Sequence, residues 1–147
     1  GLAEPEALRE TLAARDAYQT LGTPEGELAL AQAVVRLALA PKSNAVYAAY
    51  KAARAAAKTT GSEPPPAHIV NAPTRLMREQ GRGAGYVYDH DAEDGFSGQS
   101  YFPEGVKRGV YYLPVERGFE REMRRRVDHF AKLRAERARK ARGGEGG

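Results

Sequence analysis

Two breaks, Gly22-Thr23 and Pro41-Lys42, divide the amino-terminal part of this chain into three helical segments with almost no linker between them. Pro5 suits a first turn, Glu6 favours the positive end of the helix dipole and Gly22 supplies a stop, which predicts a helix over 5–21. Leu8, Leu12, Ala14, Tyr18 and Leu21 share one broad arc of it, with Glu6, Arg9 and Asp16 opposite. Thr23 offers an N-cap with Pro24 at the first helical position, and the second helix runs to Ala40 before Pro41 closes it. Its near-continuous Ala, Val and Leu content marks it as the buried, central element. Ser43 or Asn44 caps a third helix through about Lys58, in which eight alanines between Ala45 and Ala57 permit close helix approach. Connections this short make sequential helices antiparallel neighbours, so the expected fold class is an all-α helical bundle.

Beyond the third helix the pattern loosens. Gly61 and Pro64-Pro65-Pro66 cannot continue a helix and predict an extended connector over 59–68. A short helix is expected over 71–80, with Asn71 capping, Pro73 in the first turn and Gly81 ending it. From Gly81 to Pro114 glycines alternate with Tyr86, Tyr88, Phe96, Tyr101, Phe102, Tyr111 and Tyr112, and Val87-Tyr88 and Val110 to Leu113 are candidate short strands in this irregular, aromatic-rich segment. The last helix is predicted over 118–142, with Phe119, Met123, Val127, Phe130 and Leu133 as its apolar stripe. Residues 143–147 are a Gly-rich end expected to be disordered, which leaves one helical domain over 1–142.

A chain of 147 residues can bury a core without staples, and cysteine is absent, which excludes a disulfide framework, a thiolate metal site and a cysteine nucleophile. The opening Gly1-Leu2-Ala3-Glu4-Pro5 has neither a basic stretch nor an apolar core, so no secretory signal is expected and a cytoplasmic location is. The longest near-apolar run, Leu28 to Ala40, is interrupted by Gln32 and Arg36 and falls short of the ~20 residues of a membrane span. The formal charge of +4 is unevenly spread: residues 116–142 hold eleven Lys and Arg against five Asp and Glu, a local +6, and the remainder sums to −2.

Catalytic patterns are missing. Gly81-Arg82-Gly83-Ala84-Gly85 follows a helix instead of opening one and lacks the Lys-Ser or Lys-Thr of a phosphate loop, so it reads as a turn. In Asp89-His90-Asp91-Ala92-Glu93-Asp94-Gly95 the glycine falls one place late for a calcium loop and Ser100 stands where the bidentate Glu would sit, which favours a solvated or capped loop. His68, His90 and His129 lack ligand spacing, and neither a Gly-x-Ser-x-Gly elbow nor a His-Glu-x-x-His pair occurs. Arg121, Arg124, Arg125, Arg126 and Arg134 of the basic helix are candidate DNA contacts, although interleaved Glu120, Glu122, Asp128 and Glu136 favour a solvated face. Tyr101, Phe102, Tyr111 and Tyr112, with Tyr47 and Tyr50 of the third helix, are candidate subunit contacts; the loop aromatics suit a lid over the core as well.

Five ordered blocks carry a resemblance: Ala40-Pro41-Lys42-Ser43-Asn44-Ala45-Val46-Tyr47; Asn71-Ala72-Pro73-Thr74-Arg75-Leu76-Met77-Arg78-Glu79; Gly81 and Gly83 with Tyr86-x-Tyr88-x-His90-Asp91; Tyr101-Phe102-Pro103; and Tyr111-Tyr112-x-Pro114 with Gly118 and Glu120. In this order they resemble the carboxy-terminal region of the replication-associated recombination protein A family, the RarA/MgsA-type AAA+ ATPases related to the Werner-helicase-interacting protein. Arg82 departs from the aromatic the family tends to place between the two glycines, and Arg75 and Arg78 stand for lysines. The resemblance implies a helical fold similar to the clamp-loader collar that assembles the parent ATPase, most simply as a homotetramer acting with DNA and replication-fork proteins. It also implies that ATP and magnesium belong to an amino-terminal AAA+ module, since the Walker, sensor and arginine-finger residues have no counterpart here, and no cofactor or catalytic role is expected of this chain.

Overall fold

The computed structural model describes residues 1–71, 73–92 and 94–143. Its architecture is an all-α helical bundle: α1 (Glu6–Leu21), α2 (Glu25–Leu39), α3 (Ala45–Thr60), the short α4 (Arg75–Glu79) and α5 (Glu120–Gly143), with single 3-10 turns at Ala67–Ile69 and Asp89–Asp91. No strand occurs among the described residues, and no helix among them is long and apolar enough to cross a membrane. The chain forms two compact units, Gly1–Ala52 with Tyr111–His129, and Ala53–Val110 with the residues from Phe130 onward. The expected disordered tail at 143–147 lies, past Gly143, outside the described residues.

In the first unit α1 and α2 form a helical hairpin. Its seam is built of small residues: Ala7 and Ala14 on α1, Gly26 and Ala33 on α2, each pair two turns apart and all buried. Gly26 is required there, because a Cβ on it would lie 2.6 Å from the Tyr18 Cα. Small side chains let the backbones approach, and the large apolar side chains consequently point away. This corrects the expectation of a leucine-faced α1 and a fully buried α2. Leu8, Leu28, Val34, Val35 and Leu39 are each at least 60% exposed.

Charge and caps complete this unit. Arg36 of α2 lies 3.0 Å from Glu4 and 3.0 Å from Glu10, and the two carboxylates, Glu10 foremost, raise its pKa. Thr23 does not cap α2; its hydroxyl donates to the Glu27 carboxylate at 3.0 Å, and the helix starts at Glu25. Ser43 does act at the head of α3, its Oγ accepting from Ala45 N at 3.1 Å. The amino terminus is held against the start of α5: Phe119 N donates to Ala3 O at 2.9 Å, and Gly118 sits so close that a Cβ would fall 2.0 Å from that same oxygen.

In the second unit α4 is capped by Thr74, whose hydroxyl accepts from Met77 N at 3.3 Å, and not by Asn71. The candidate strand at Val87-Tyr88 finds no partner strand because a side chain takes its place. Gln99 accepts from Val87 N at 3.0 Å and donates to Gly85 O at 2.6 Å, satisfying the backbone that a ladder would otherwise pair. The candidate strand at 110–113 likewise forms no strand.

Candidate assembly surface and basic helix

Exposed apolar side chains of the first unit stand on α1, α2 and the start of α3. A groove along the hairpin is floored by Ala13, Ala14, Ala29 and Ala33 and bordered by Glu10, Gln32 and Arg36. Leu8, Leu28, Val34, Val35 and Leu39 are exposed on the two helices, as are Tyr47 and Tyr50 of α3. Burying a Leu or Val side chain fully stabilises by about 1.5–3 kcal/mol, so covering the five named side chains offers on the order of 10 kcal/mol before the cost of association.

The six aromatic candidates divide between the two units. Tyr47 and Tyr50 belong to the apolar surface just described. Tyr101 is part of the second unit and lines a pocket with His68, Ile69, Val70, Asn71, Gly83 and Tyr86, while Phe102 lies beneath the Arg108 guanidinium at 5.8 Å. Tyr111 and Tyr112 are half-buried in the first unit, and burial, with the nearby Glu120 charge, raises the Tyr112 phenol pKa. Sequence reasoning missed Leu8, Leu28, Val34, Val35 and Leu39 as surface residues, having assigned them to a core. The signal that distinguishes the two readings is the two-turn spacing of small residues, Ala7–Ala14 and Gly26–Ala33, which marks the true seam.

The basic set on α5 is largely engaged. Arg121 Nε donates to Glu116 O at 3.2 Å. Arg124 Nη2 donates to Pro114 O at 2.8 Å, and its Nε is 3.6 Å from the Glu116 carboxylate. Arg125 and Arg126 flank Glu122 at 3.3 and 3.1 Å. Arg124 thereby anchors the loop before α5, whereas the exposed pairs of Arg125 and Arg126 contribute ~0–1 kcal/mol each and leave those side chains exchangeable. Arg134 is half-buried against the Phe96 ring at 5.2 Å.

The glycine run and the acidic loop have structural roles. Gly81 ends α4 with φ +77°; Arg82 N donates to Met77 O at 3.1 Å and Gly81 N to Arg78 O at 2.9 Å, so these amides close a helix. Gly83 N donates to Ala67 O at 2.7 Å. Asp89 accepts from Ser97 N at 2.7 Å, and hydrogen bonding from the Ser97 side chain first and its backbone second holds the carboxyl below the ordinary aspartate range. Asp94 pairs with Arg137, which lowers its pKa in the same way. His68 packs near Tyr101 and His90 against Tyr88. Among the described residues no group of three or more His, Asp or Glu could hold a metal.

Residues 1–131 match the family described as MgsA AAA+ ATPase C terminal. The chain is 48% identical over 134 residues to replication-associated recombination protein A of Coxiella burnetii, covering 90% of this chain and 30% of that protein. To the protein of that name from Escherichia coli K12 it is 47% identical over 121 residues, 82% of this chain and 27% of the other. It is 37% identical over 113 residues to ATPase WRNIP1 of Dictyostelium discoideum, 76% of this chain and 13% of that one. The chain thus spans less than a third of the length of these relatives.

Proposed function

Because the chain belongs to the family of MgsA AAA+ ATPase C-terminal domains, we propose that it is the assembly module of such an ATPase, joining copies of the parent protein, as a homotetramer, for its work in DNA replication, recombination and repair. The observation that carries this reading is the small-residue seam of α1 and α2, which closes the hairpin and turns Leu8, Leu28, Val34, Val35 and Leu39 outward. Closed rotational symmetry would bury such a face repeatedly with one set of contacts. Sedimentation equilibrium tests it: a mass four times 16.0 kDa is expected. A 16.0 kDa species persisting to high concentration would refute the reading.

The alternative is nucleic-acid binding by α5, supported by the local +6 of residues 116–142. Arg125 and Arg126 are the side chains to test, since replacing Arg124 would also free the Pro114 loop. Binding that collapses with salt and weakens in an Arg125→Gln/Arg126→Gln variant of unchanged mass is the expected result; undiminished binding removes this alternative.

A further inference from the structure

His68, Tyr86 and Tyr101 of the second unit line one cavity of about 550 Å³, together with Val70, Asn71 and Gly83. Its walls are tied by the main chain: Gly83 N donates to Ala67 O at 2.7 Å. Gln99 grips the backbone on both sides of Tyr86, donating to Gly85 O at 2.6 Å and accepting from Val87 N at 3.0 Å. The Tyr101 ring meets the His68 ring at 6.1 Å between centres with a tilt of 43°. Tyr86 is nevertheless 50% exposed and Tyr101 48%, so two tyrosines fixed by their surroundings keep surface free for a ligand.

The volume falls within the ~300–1,000 Å³ of small-ligand sites, which gives room for a base with its sugar. Rings at the wall favour a flat, aromatic occupant, and every nucleobase has a face that stacks on tyrosine. The Asn71 amide, exposed at the same cavity, carries two N–H donors and an acceptor oxygen, the combination that pairs with a base edge. We propose that this cavity takes a base of a single-stranded nucleic acid, stacked on Tyr86 and Tyr101 with its edge toward Asn71. Arg82 favours a strand over the aromatic side chain of a peptide. It precedes Gly83, lines an adjoining cavity that shares Val70, and has no carboxylate at ion-pair distance among the described residues. A strand brings a phosphate with every base, whereas a peptide brings an anion only where its sequence supplies one. Glu63 and Glu104 border that adjoining cavity and oppose an anion there, so the rings supply most of the affinity and Arg82 the smaller share. The site uses no arginine of α5, and it is independent of the assembly reading because every residue named here lies in the second unit.

The test uses the whole chain, with sedimentation mass and far-ultraviolet dichroism shown to be equal for all variants. Anisotropy follows the binding of a fluorescein-labelled oligothymidine of about 20 nucleotides, and of an abasic strand of equal length that keeps the phosphates and lacks the bases. The proteins are wild type, Tyr86→Leu, Tyr101→Leu, Asn71→Ala, Arg82→Gln and the control Tyr88→Leu. Tyr88 is 52% exposed in the same segment and does not line the cavity. Wild type is expected to bind oligothymidine at least about tenfold more tightly than the abasic strand. Each of Tyr86→Leu and Tyr101→Leu should lose about tenfold for oligothymidine and nothing for the abasic strand, the size of one stacking contact. Asn71→Ala should lose about fivefold for oligothymidine alone, as for one hydrogen bond. Arg82→Gln should lose about two- to threefold on both strands, and Tyr88→Leu less than about twofold. A strand carrying one 5-iodouracil should cross-link on irradiation to Tyr86 or Tyr101 of the wild type, a readout that depends on no variant. Equal affinity of the wild type for the two strands, or equal losses in Tyr88→Leu and the two site tyrosines, would overturn the proposal. So would saturable binding of N-acetyltryptophanamide that Tyr101→Leu abolishes, without any base-dependent binding of the strand; the cavity would then belong to a protein partner.

Discussion

The Glu120 carboxylate, wholly buried at the first turn of α5, accepts the backbone N–H of Val115 at 2.8 Å. A buried acid is tolerated here because it sits at the positive end of the helix dipole and satisfies an amide that would otherwise be orphaned. Glu120→Ala is expected to destabilise the chain by about 1–3 kcal/mol, whereas Glu120→Gln, which keeps an acceptor oxygen, costs less. Urea unfolding of both variants checks this; equal losses would mean that the side-chain volume matters and the bond does not.

Gly26 marks the closest approach of α1 and α2. Gly26→Ala places a Cβ 2.6 Å from a backbone atom, the Tyr18 Cα, which cannot swing aside like a side chain. A loss of about 1–3 kcal/mol is expected, in the range of overpacked cores. Far-ultraviolet dichroism should show the helices retained at low temperature and a lowered melting point. An unchanged melting point would refute the small-residue seam.

The outward apolar residues give a test of opposite character. Val35→Glu combined with Leu39→Glu is expected to leave helix content and single-chain stability nearly unchanged, because both side chains already face water in one copy. The same pair should shift the sedimentation mass toward 16.0 kDa. Unfolding without a change in association would place these residues in a core.

The acidic loop makes stability depend on pH in a defined direction. Asp89 and Asp94 have folded pKa values below the ordinary one, so each contributes stability above the unfolded value, ~3.9. That contribution is lost as pH falls through the folded values. Urea midpoints measured from pH 6 downward should therefore decline below about pH 4. Asp89→Asn with Asp94→Asn should flatten part of this decline while lowering the midpoint at pH 6. An unaltered profile in the double variant would show that other carboxylates govern it.

Much of the local architecture was legible in the sequence. Gly22 and Pro41 set helix ends by removing donors or supplying a left-handed residue, effects that act within a turn and need no tertiary context. The Ser43 cap is of the same kind. Thr23 and Asn71 have equally good capping chemistry and do not cap: the Thr23 hydroxyl donates to Glu27, and Thr74 caps α4 in place of Asn71. What the pattern could not reveal was which apolar residues face which neighbour. A run such as Leu28 to Ala40 reports that a surface avoids water, not whether its own chain or another molecule covers it. Gln99 replacing a strand joins positions 12 residues apart, and Arg137 pairing with Asp94 joins positions 43 apart, beyond the reach of any periodicity.

The alanine and glycine seam bears on the timing of events. Since Ala7, Ala14, Gly26 and Ala33 close the hairpin without its leucines, pairing of the two helices is unimolecular and proceeds at one rate whatever the protein concentration. Under the proposed assembly, covering the leucines would be a second, bimolecular encounter between parts already folded. Dilution would separate subunits while leaving each hairpin intact, and copies could exchange partners without unfolding.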